Sequence, residues 1–416
     1  MMMENAGARR RVMKASQFRL IGVVVFVSAF LSSLYGEGKP LKVVILCGQS
    51  NMEGHAQTRT FPAIAKDPKT AGLYHEMVDA EGKAKVHEDV WVSYAYGDFS
   101  GNPVGVRSGQ LTTGFGSQHH IGTGKIGPEL TFGIYMNKIL NEPILLIKNA
   151  WGGKSLHTDF RSPSAGPYEW TSPTDEKKKA EKLKATGRYF RLMIDHVKKV
   201  LSDPKSVYPS YDAKVGLELS GFVWFQGFND LVGPYPKADP SQGRGAVKDY
   251  SEYSRVLSCF IRDVRTELKA PELPFVIGVL GCDGKAAKEG TVAFREAMAA
   301  PAETDEFKKT VVNVLTENFW PTEVDEVQAK IKSIYSEKKK KENAIKKKEL
   351  SREEKKKAYG DIGVETRAKI EEVLSEDELF TLDNGISNRG YHYHGSAKFF
   401  AQLGKAFAEA LLKVED

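Results

Sequence analysis

Four short blocks gather the side chains of this 416-residue chain that could do chemistry. Gly48-Gln49-Ser50-Asn51-Met52 follows directly on the apolar run LKVVILC. A serine just past the carboxyl end of a first strand stands where a nucleophile does, and its hydroxyl then needs a base to take the proton. Ser and Asn are also ordinary turn residues, so this block alone decides nothing. Lys148-Asn149-Ala150-Trp151-Gly152-Gly153 ends a second apolar run, with paired glycines that expose backbone N–H groups. Gln226-Gly227-Phe228-Asn229-Asp230 ends a third, and two amides with a carboxylate are costly to bury without partners. Tyr391-His392-Tyr393-His394-Gly395-Ser396 stands just before the last helical pattern. His392 and His394, alternate residues on one segment, also read as a metal pair. No further cluster of His, Cys or carboxylate stands near them in sequence, so no metal is expected. Together the four blocks converge on one crevice.

The elements that must position them follow from periodicity. Continuous apolar runs at 41–47, 143–150, 221–227, 274–281 and 310–316 predict five strands buried on both faces. Helices are predicted over 127–140, with Pro128 and Glu129 in the first turn, and over 251–268 and 396–414. Phe190, Met193, Val197, Val200 and Leu201 mark another helix face, and His196, off that stripe, reads as solvated. Strands alternating with helices predict an α/β fold, with ligands outside the carboxyl ends of a parallel sheet. Two stretches break the pattern. Residues 84–126 read as a long functional loop. Residues 322–376, dense in Lys and Glu, read as a solvated helical insertion, with docking of an anionic polysaccharide as the alternative.

Composition narrows the class. At 41% apolar and 27% charged the chain is globular, which excludes collagen, coiled-coil rods and a wholly disordered polymer. A net charge of +6 is too mild to imply nucleic acid, and no glycine-rich phosphate loop stands in strand–helix context. Cys47, Cys259 and Cys282 cannot make a disulfide scaffold; core burial is expected, with a Cys259–Cys282 bridge as the alternative. Residues 1–36 run from Arg9, Arg10, Arg11, Lys14 and Arg19 into LIGVVVFVSAFLSSLYG, the pattern of a secretory signal peptide cut near Gly36. An uncleaved anchor is the competing reading. The protein is thus expected to be exported, as a domain over 39–416, with no stable membrane span once the signal is removed.

The GQSNM, GGKSL and WFQGFND blocks and the late His-Tyr before a helix resemble the SGNH hydrolase superfamily. Within it, the likeness is to sialate O-acetylesterase-like and acetylxylan-esterase-like carbohydrate esterases, over about residues 41–316 and 383–413. The resemblance implies a flavodoxin-like three-layer α/β sandwich with a five-stranded parallel sheet, hydrolysing acetyl esters on sugars without metal or organic cofactor. It implies Ser50 as nucleophile and His392 as base, with His394 the rival. It also implies an oxyanion hole from the Ser50 amide, the Gly152-Gly153 turn and the Asn229 side chain, while Gln226 assists or braces the loop. The acid departs from pattern: the position three before His392 is Arg389, and the glutamate of a QGE segment is replaced by Phe228. Asp230 is then the preferred acid, with Asp383 or a bare Ser–His dyad as alternatives.

The substrate implied is an O-acetylated carbohydrate; lipid or aryl esters, or glycan binding by an inactive site, are the other readings. Arg161 is a candidate partner for a sugar carboxylate or sulfate, Tyr94, Tyr96, Trp151 and Trp170 for stacking, and His119-His120 for the pocket mouth. Activity should fall as pH drops through the histidine range. Nothing in the sequence indicates the oligomeric state.

Overall fold

Strand β1 (Leu41–Gly48) is buried along nearly its whole length, as its unbroken apolar run requires of a strand covered on both sides. The computed structural model describes residues 38–118, 124–168, 175–243 and 246–415. The signal peptide expected at 1–36, together with His119, His120 and Trp170, lies outside them. β1 is the centre of a seven-stranded sheet with β2 (His87–Gly97), β3 (Pro103–Leu111), β4 (Ile144–Ala150), β5 (Leu217–Phe225), β6 (Phe275–Val279) and β7 (Val311–Leu315). The spatial order is β3-β2-β4-β1-β5-β6-β7, and every neighbouring pair is parallel except β2 with β3.

The expected count of five strands is therefore corrected to seven. The two additional strands come from the stretch read as a long loop. β2 buries Val90, Val92, Ser93, Tyr94 and Ala95 against the sheet, whereas β3 is an edge strand that is mostly exposed. β3 buries only Leu111, and its alternate Val104 and Val106 are exposed, so no core-facing stripe marks it in the sequence.

The helices that bear on the site are α1 (Ser50–Glu53), α2 (Glu129–Leu140), α3 (Arg188–Ser202), α4 (Phe228–Leu231), α5 (Ser251–Glu267), α6 (Thr322–Lys346), α7 (Arg352–Val373) and α8 (Ala397–Glu415). Alternate residues of β5 show how they cover both faces of the sheet. Phe222 and Trp224 meet Phe260 of α5, which in turn meets Phe190 of α3, while Phe225 meets Phe407 of α8 on the opposite side. α8 packs on α2, where the Thr131 hydroxyl donates to the Ala401 carbonyl at 2.8 Å. No helix among the described residues is long and apolar enough to cross a membrane.

His196 is not solvated. It is buried on α3, with Nδ1 2.8 Å from Asn149 Oδ1 and Nε2 3.0 Å from Ser93 Oγ, so it ties β4 to β2. Burial, then Lys199, lowers its pKa to about 4, so it stays neutral. Cys47, Cys259 and Cys282 are buried free thiols, and the alternative of a Cys259–Cys282 bridge does not hold. The Lys-rich segment forms α6 and α7, with a small core of Val327, Ile331, Ile370 and Leu374 that its charge density conceals. Lys341 bridges Glu337 and Glu365 on the outer surface of this pair.

Candidate active site

Strand register puts three of the four blocks side by side. Gly48 at the end of β1 lies opposite Ala150 of β4 and opposite Phe225 of β5. The residues that follow, Gln49-Ser50, Trp151-Gly152-Gly153 and Gln226-Gly227, therefore leave the sheet together at its carboxyl edge. The turn out of β1 is so tight that a Cβ on Gly48 would lie 2.1 Å from the Phe225 carbonyl oxygen, which only glycine avoids.

Gln49 knits the three turns into one. Its Oε1 accepts from Gln226 Nε2 at 3.1 Å and from the N–H groups of Gly227 and Asn229 at 3.2 Å each. Its Nε2 donates to Asn229 Oδ1 at 3.0 Å and to Ser50 Oγ at 3.5 Å. Buried Gln226 braces the loop, donating as well to Asp230 Oδ2 at 2.6 Å and to the Lys154 carbonyl at 3.0 Å. Asn229 Nδ2 donates to the Gly153 carbonyl at 2.8 Å and keeps a second amide hydrogen. Gln49 was part of a recognised block, but no local pattern reveals a residue whose partners are some 180 positions away.

The late block meets α1 and the turn after it. Asn51 Nδ2 donates to the Tyr391 carbonyl at 3.2 Å, and the His392 ring stacks on His55, with centroids 4.0 Å apart and planes 3° from parallel. Tyr393 and His394 both adopt left-handed backbone, φ 51° and 56°, which turns the segment sharply after His392. Such conformations persist only where packing holds them. Tyr393 supplies that hold: it is buried, stacked on Phe399 at 3.7 Å, and its hydroxyl accepts from the Gly281 N–H at 2.8 Å.

The two histidines face different surroundings. His394 turns away toward α6, with Nε2 3.1 Å from Asp325 Oδ1 and Nδ1 3.4 Å from Gln328 Nε2. His392 stays beside α1, with Nδ1 3.0 Å from Asn388 Oδ1. That amide oxygen also accepts the Arg389 backbone N–H at 2.8 Å, which identifies it as oxygen rather than nitrogen. His392 Nδ1 must then carry its proton and donate it, leaving Nε2 unprotonated. Burial, helped by His55 and Lys125, lowers the His392 pKa to about 2, so the ring is neutral across the physiological range. No hydrogen bond between Ser50 and His392 is closed in this structure; such contacts commonly tighten only when substrate binds.

Glu53 and His55 form a second layer that the sequence did not disclose. Buried Glu53 accepts the Gly152 N–H on Oε1 at 3.0 Å, and its Oε2 lies 3.5 Å from His55 Nε2. The Gly152 amide is therefore spoken for, and the expectation that it belongs to an oxyanion hole is corrected on that ground. The N–H groups of Ser50 and Gly153 carry no hydrogen bond among the described residues. Below this layer Lys148 is fully buried, donating to the Glu53 and Phe115 carbonyls at 2.8 and 2.7 Å and to Glu129 Oε2 at 2.7 Å.

Three other expected residues do different work. Asp230, fully buried, is not brought to His392. It accepts from the Leu156 and His157 N–H groups at 2.8 and 3.1 Å, from His157 Nδ1 at 2.9 Å and from the Tyr235 hydroxyl at 2.9 Å. Burial raises its pKa, but the His157 and backbone bonds outweigh that and hold it below the usual carboxylate range. Asp383 is engaged by both terminal nitrogens of Arg367. Arg161 is buried, spending its guanidinium on the His157, Ala165, Gly166 and Pro167 carbonyls and on Glu252, so it is not poised for a sugar anion. Tyr94 and Trp151 are buried in the core and offer no face for stacking, and Tyr96 is half-buried against Tyr94.

The family model described as carbohydrate esterase, sialic acid-specific acetylesterase, matches residues 40–333. The chain belongs to this family. It is therefore a carbohydrate esterase, a hydrolase acting on ester bonds. The matched stretch carries Ser50, Gly152, Gly153, Gln226 and Asn229; His392 and Asn388 lie beyond it. The sequence has no match among curated proteins. Similar solved structures include a protein from Arabidopsis thaliana at 14% identity and TM-score 0.41, covering 90% of this chain and 98% of that one. A carbohydrate acetylesterase from Xanthomonas citri is 12% identical with TM-score 0.38, covering 65% of this chain and 49% of that one. An acetyl xylan esterase from the rumen bacterium Butyrivibrio proteoclasticus is 10% identical with TM-score 0.26, covering 66% and 55%. The chain spans about half the length of these last two esterases.

Proposed function

We propose that this carbohydrate esterase removes O-acetyl groups from a glycan through an acetyl-Ser50 intermediate, with His392 as the base. The observation that carries the reading is the Asn388–His392 bond, because a donated Nδ1 proton leaves Nε2 as the atom able to take the Ser50 proton. Ser50 Oγ then adds to the acetyl carbonyl, and the charge on the carbonyl oxygen meets the Ser50 and Gly153 N–H groups and the second hydrogen of Asn229. The protonated His392 gives its proton to the departing sugar oxygen. Water, deprotonated by the same nitrogen, releases acetate and restores the serine.

Asn388 is the positioning residue where related sites use an acid. An amide oxygen fixes the tautomer and the ring as a carboxylate would, without supplying its charge. This replaces Asp230 as the partner of His392, since Asp230 is consumed by His157. Export of the enzyme is part of the proposal, supported by the basic and then apolar pattern of residues 1–36.

Because burial holds His392 near pKa 2, the acid limb of kcat/KM falls below the ordinary histidine range. The profile for p-nitrophenyl acetate should be flat from pH 5 to 8, wherever circular dichroism reports an intact fold. This reverses the expectation drawn from a solvated imidazole; an apparent pKa near 6.5 would place the base elsewhere. A fluorophosphonate probe tests the nucleophile: it should add once, at Ser50, by peptide mass spectrometry. Labelling at another residue, or none, would contradict the assignment.

A further inference from the structure

Around His157, whose Nδ1 is held by Asp230, lies a cavity of about 510 Å³ that no part of the hydrolytic step uses. Resting on the reading above, we infer that it is a subsite for a neutral sugar ring of the acetylated glycan. The cavity lies within the roughly 300–1,000 Å³ typical of small-molecule sites. Its wall includes His157, flanked by Tyr168 at 5.2 Å and Tyr235 at 5.4 Å between ring centroids, with Pro167 and Pro236 adjoining. Tyrosine faces and proline rings suit the C–H face of a pyranose, and an imidazole suits its hydroxyls.

The subsite is built rigidly and is linked to the Ser50 turns by side-chain hydrogen bonds. His157 Nδ1 is tied to Asp230 at 2.9 Å, and its other ring nitrogen makes no hydrogen bond among the described residues. Asp230 is linked through Gln226 to Gln49, and Gln49 donates to Ser50 Oγ. The cavity wall at His157 is therefore four hydrogen bonds from the nucleophile.

Charge bookkeeping gives the class of sugar. The cavity's cations are Arg161 and Arg255. Arg161 is spent on four carbonyls and Glu252, and Arg255 donates to both Glu252 oxygens and to the Ala165 carbonyl. A sugar carboxylate would have to break these pairs, whereas a neutral ring needs only faces and hydroxyl partners. The cavity thus favours neutral glycan over sialic acid, within a family described by the latter.

Calorimetry with unmodified xylotetraose, cellotetraose, mannotetraose and N-acetylneuraminic acid tests this. At least one neutral tetraose should bind saturably, and at least tenfold more tightly than N-acetylneuraminic acid. Tyr168→Ala should weaken that binding tenfold or more, and Tyr168→Phe, which keeps the ring face, should restore it. Saturation by none of the tetraoses, wild-type affinity in Tyr168→Ala, or tighter binding of N-acetylneuraminic acid would overturn the subsite. Turnover of p-nitrophenyl acetate by the wild type, measured alongside, separates the two readings. Tetraose binding without turnover would count against the Ser50 mechanism alone, and turnover without tetraose binding against the subsite alone.

Discussion

Replacing His392 with alanine should lower kcat/KM on p-nitrophenyl acetate by about 10⁴-fold or more, because in the proposed mechanism nucleophile and base act as one unit. A serine hydroxyl without a base is nearly inert at neutral pH, so losing the imidazole costs almost as much as losing the serine. His394→Ala is the paired control. That side chain faces Asp325 and Gln328 on α6, so its loss should lower stability while leaving most of the rate. The reverse result, with His394 essential and His392 dispensable, would contradict the site as described.

Lys148→Met is the second large effect, and it falls on stability. Lys148 and Glu129 form an ion pair with no solvent exposure, 2.7 Å apart. Burial lowers the Lys148 pKa and raises that of Glu129, while their contact opposes both shifts. Removing one partner of such a pair typically costs about 3–5 kcal/mol, because the other is left buried and uncompensated. Here the loss also strips a donor from the Glu53 and Phe115 carbonyls. Denaturant unfolding should show the drop, and Lys148→Met combined with Glu129→Leu should recover part of it. A single variant within 1 kcal/mol of wild type would mean that the pair adds little to stability.

How much of this was legible depends on how local each signal is. Ser50 and the strand-end blocks could be read because a buried parallel strand announces itself, and ligands gather at its carboxyl end. His392 came from the resemblance, and its distinction from His394 needed the two left-handed residues that turn the rings apart. The partner of His392 was missed because an acid was sought three positions before it, whereas the acceptor is an amide four before it. Asp230 looked available in sequence, yet its lone pairs belong to a loop some 74 residues earlier. Arg161 misled for the same reason: its partners are four carbonyls and, 91 residues on, Glu252, which no local pattern marks. β3 hid because an exposed edge strand rich in Gly and Ser lacks the alternation that betrays a half-buried one, whereas β2 carries the β-branched and aromatic run VWVSYAY, which the loop reading passed over.

The most direct test of the central claim is acetate release from p-nitrophenyl acetate and from acetylated xylan, by wild type and Ser50→Ala side by side. The account predicts turnover of both substrates by the wild type, and loss of at least about 10³-fold in the variant. Equal rates in the two proteins would remove Ser50 from the chemistry and, with it, the acetyl-enzyme mechanism.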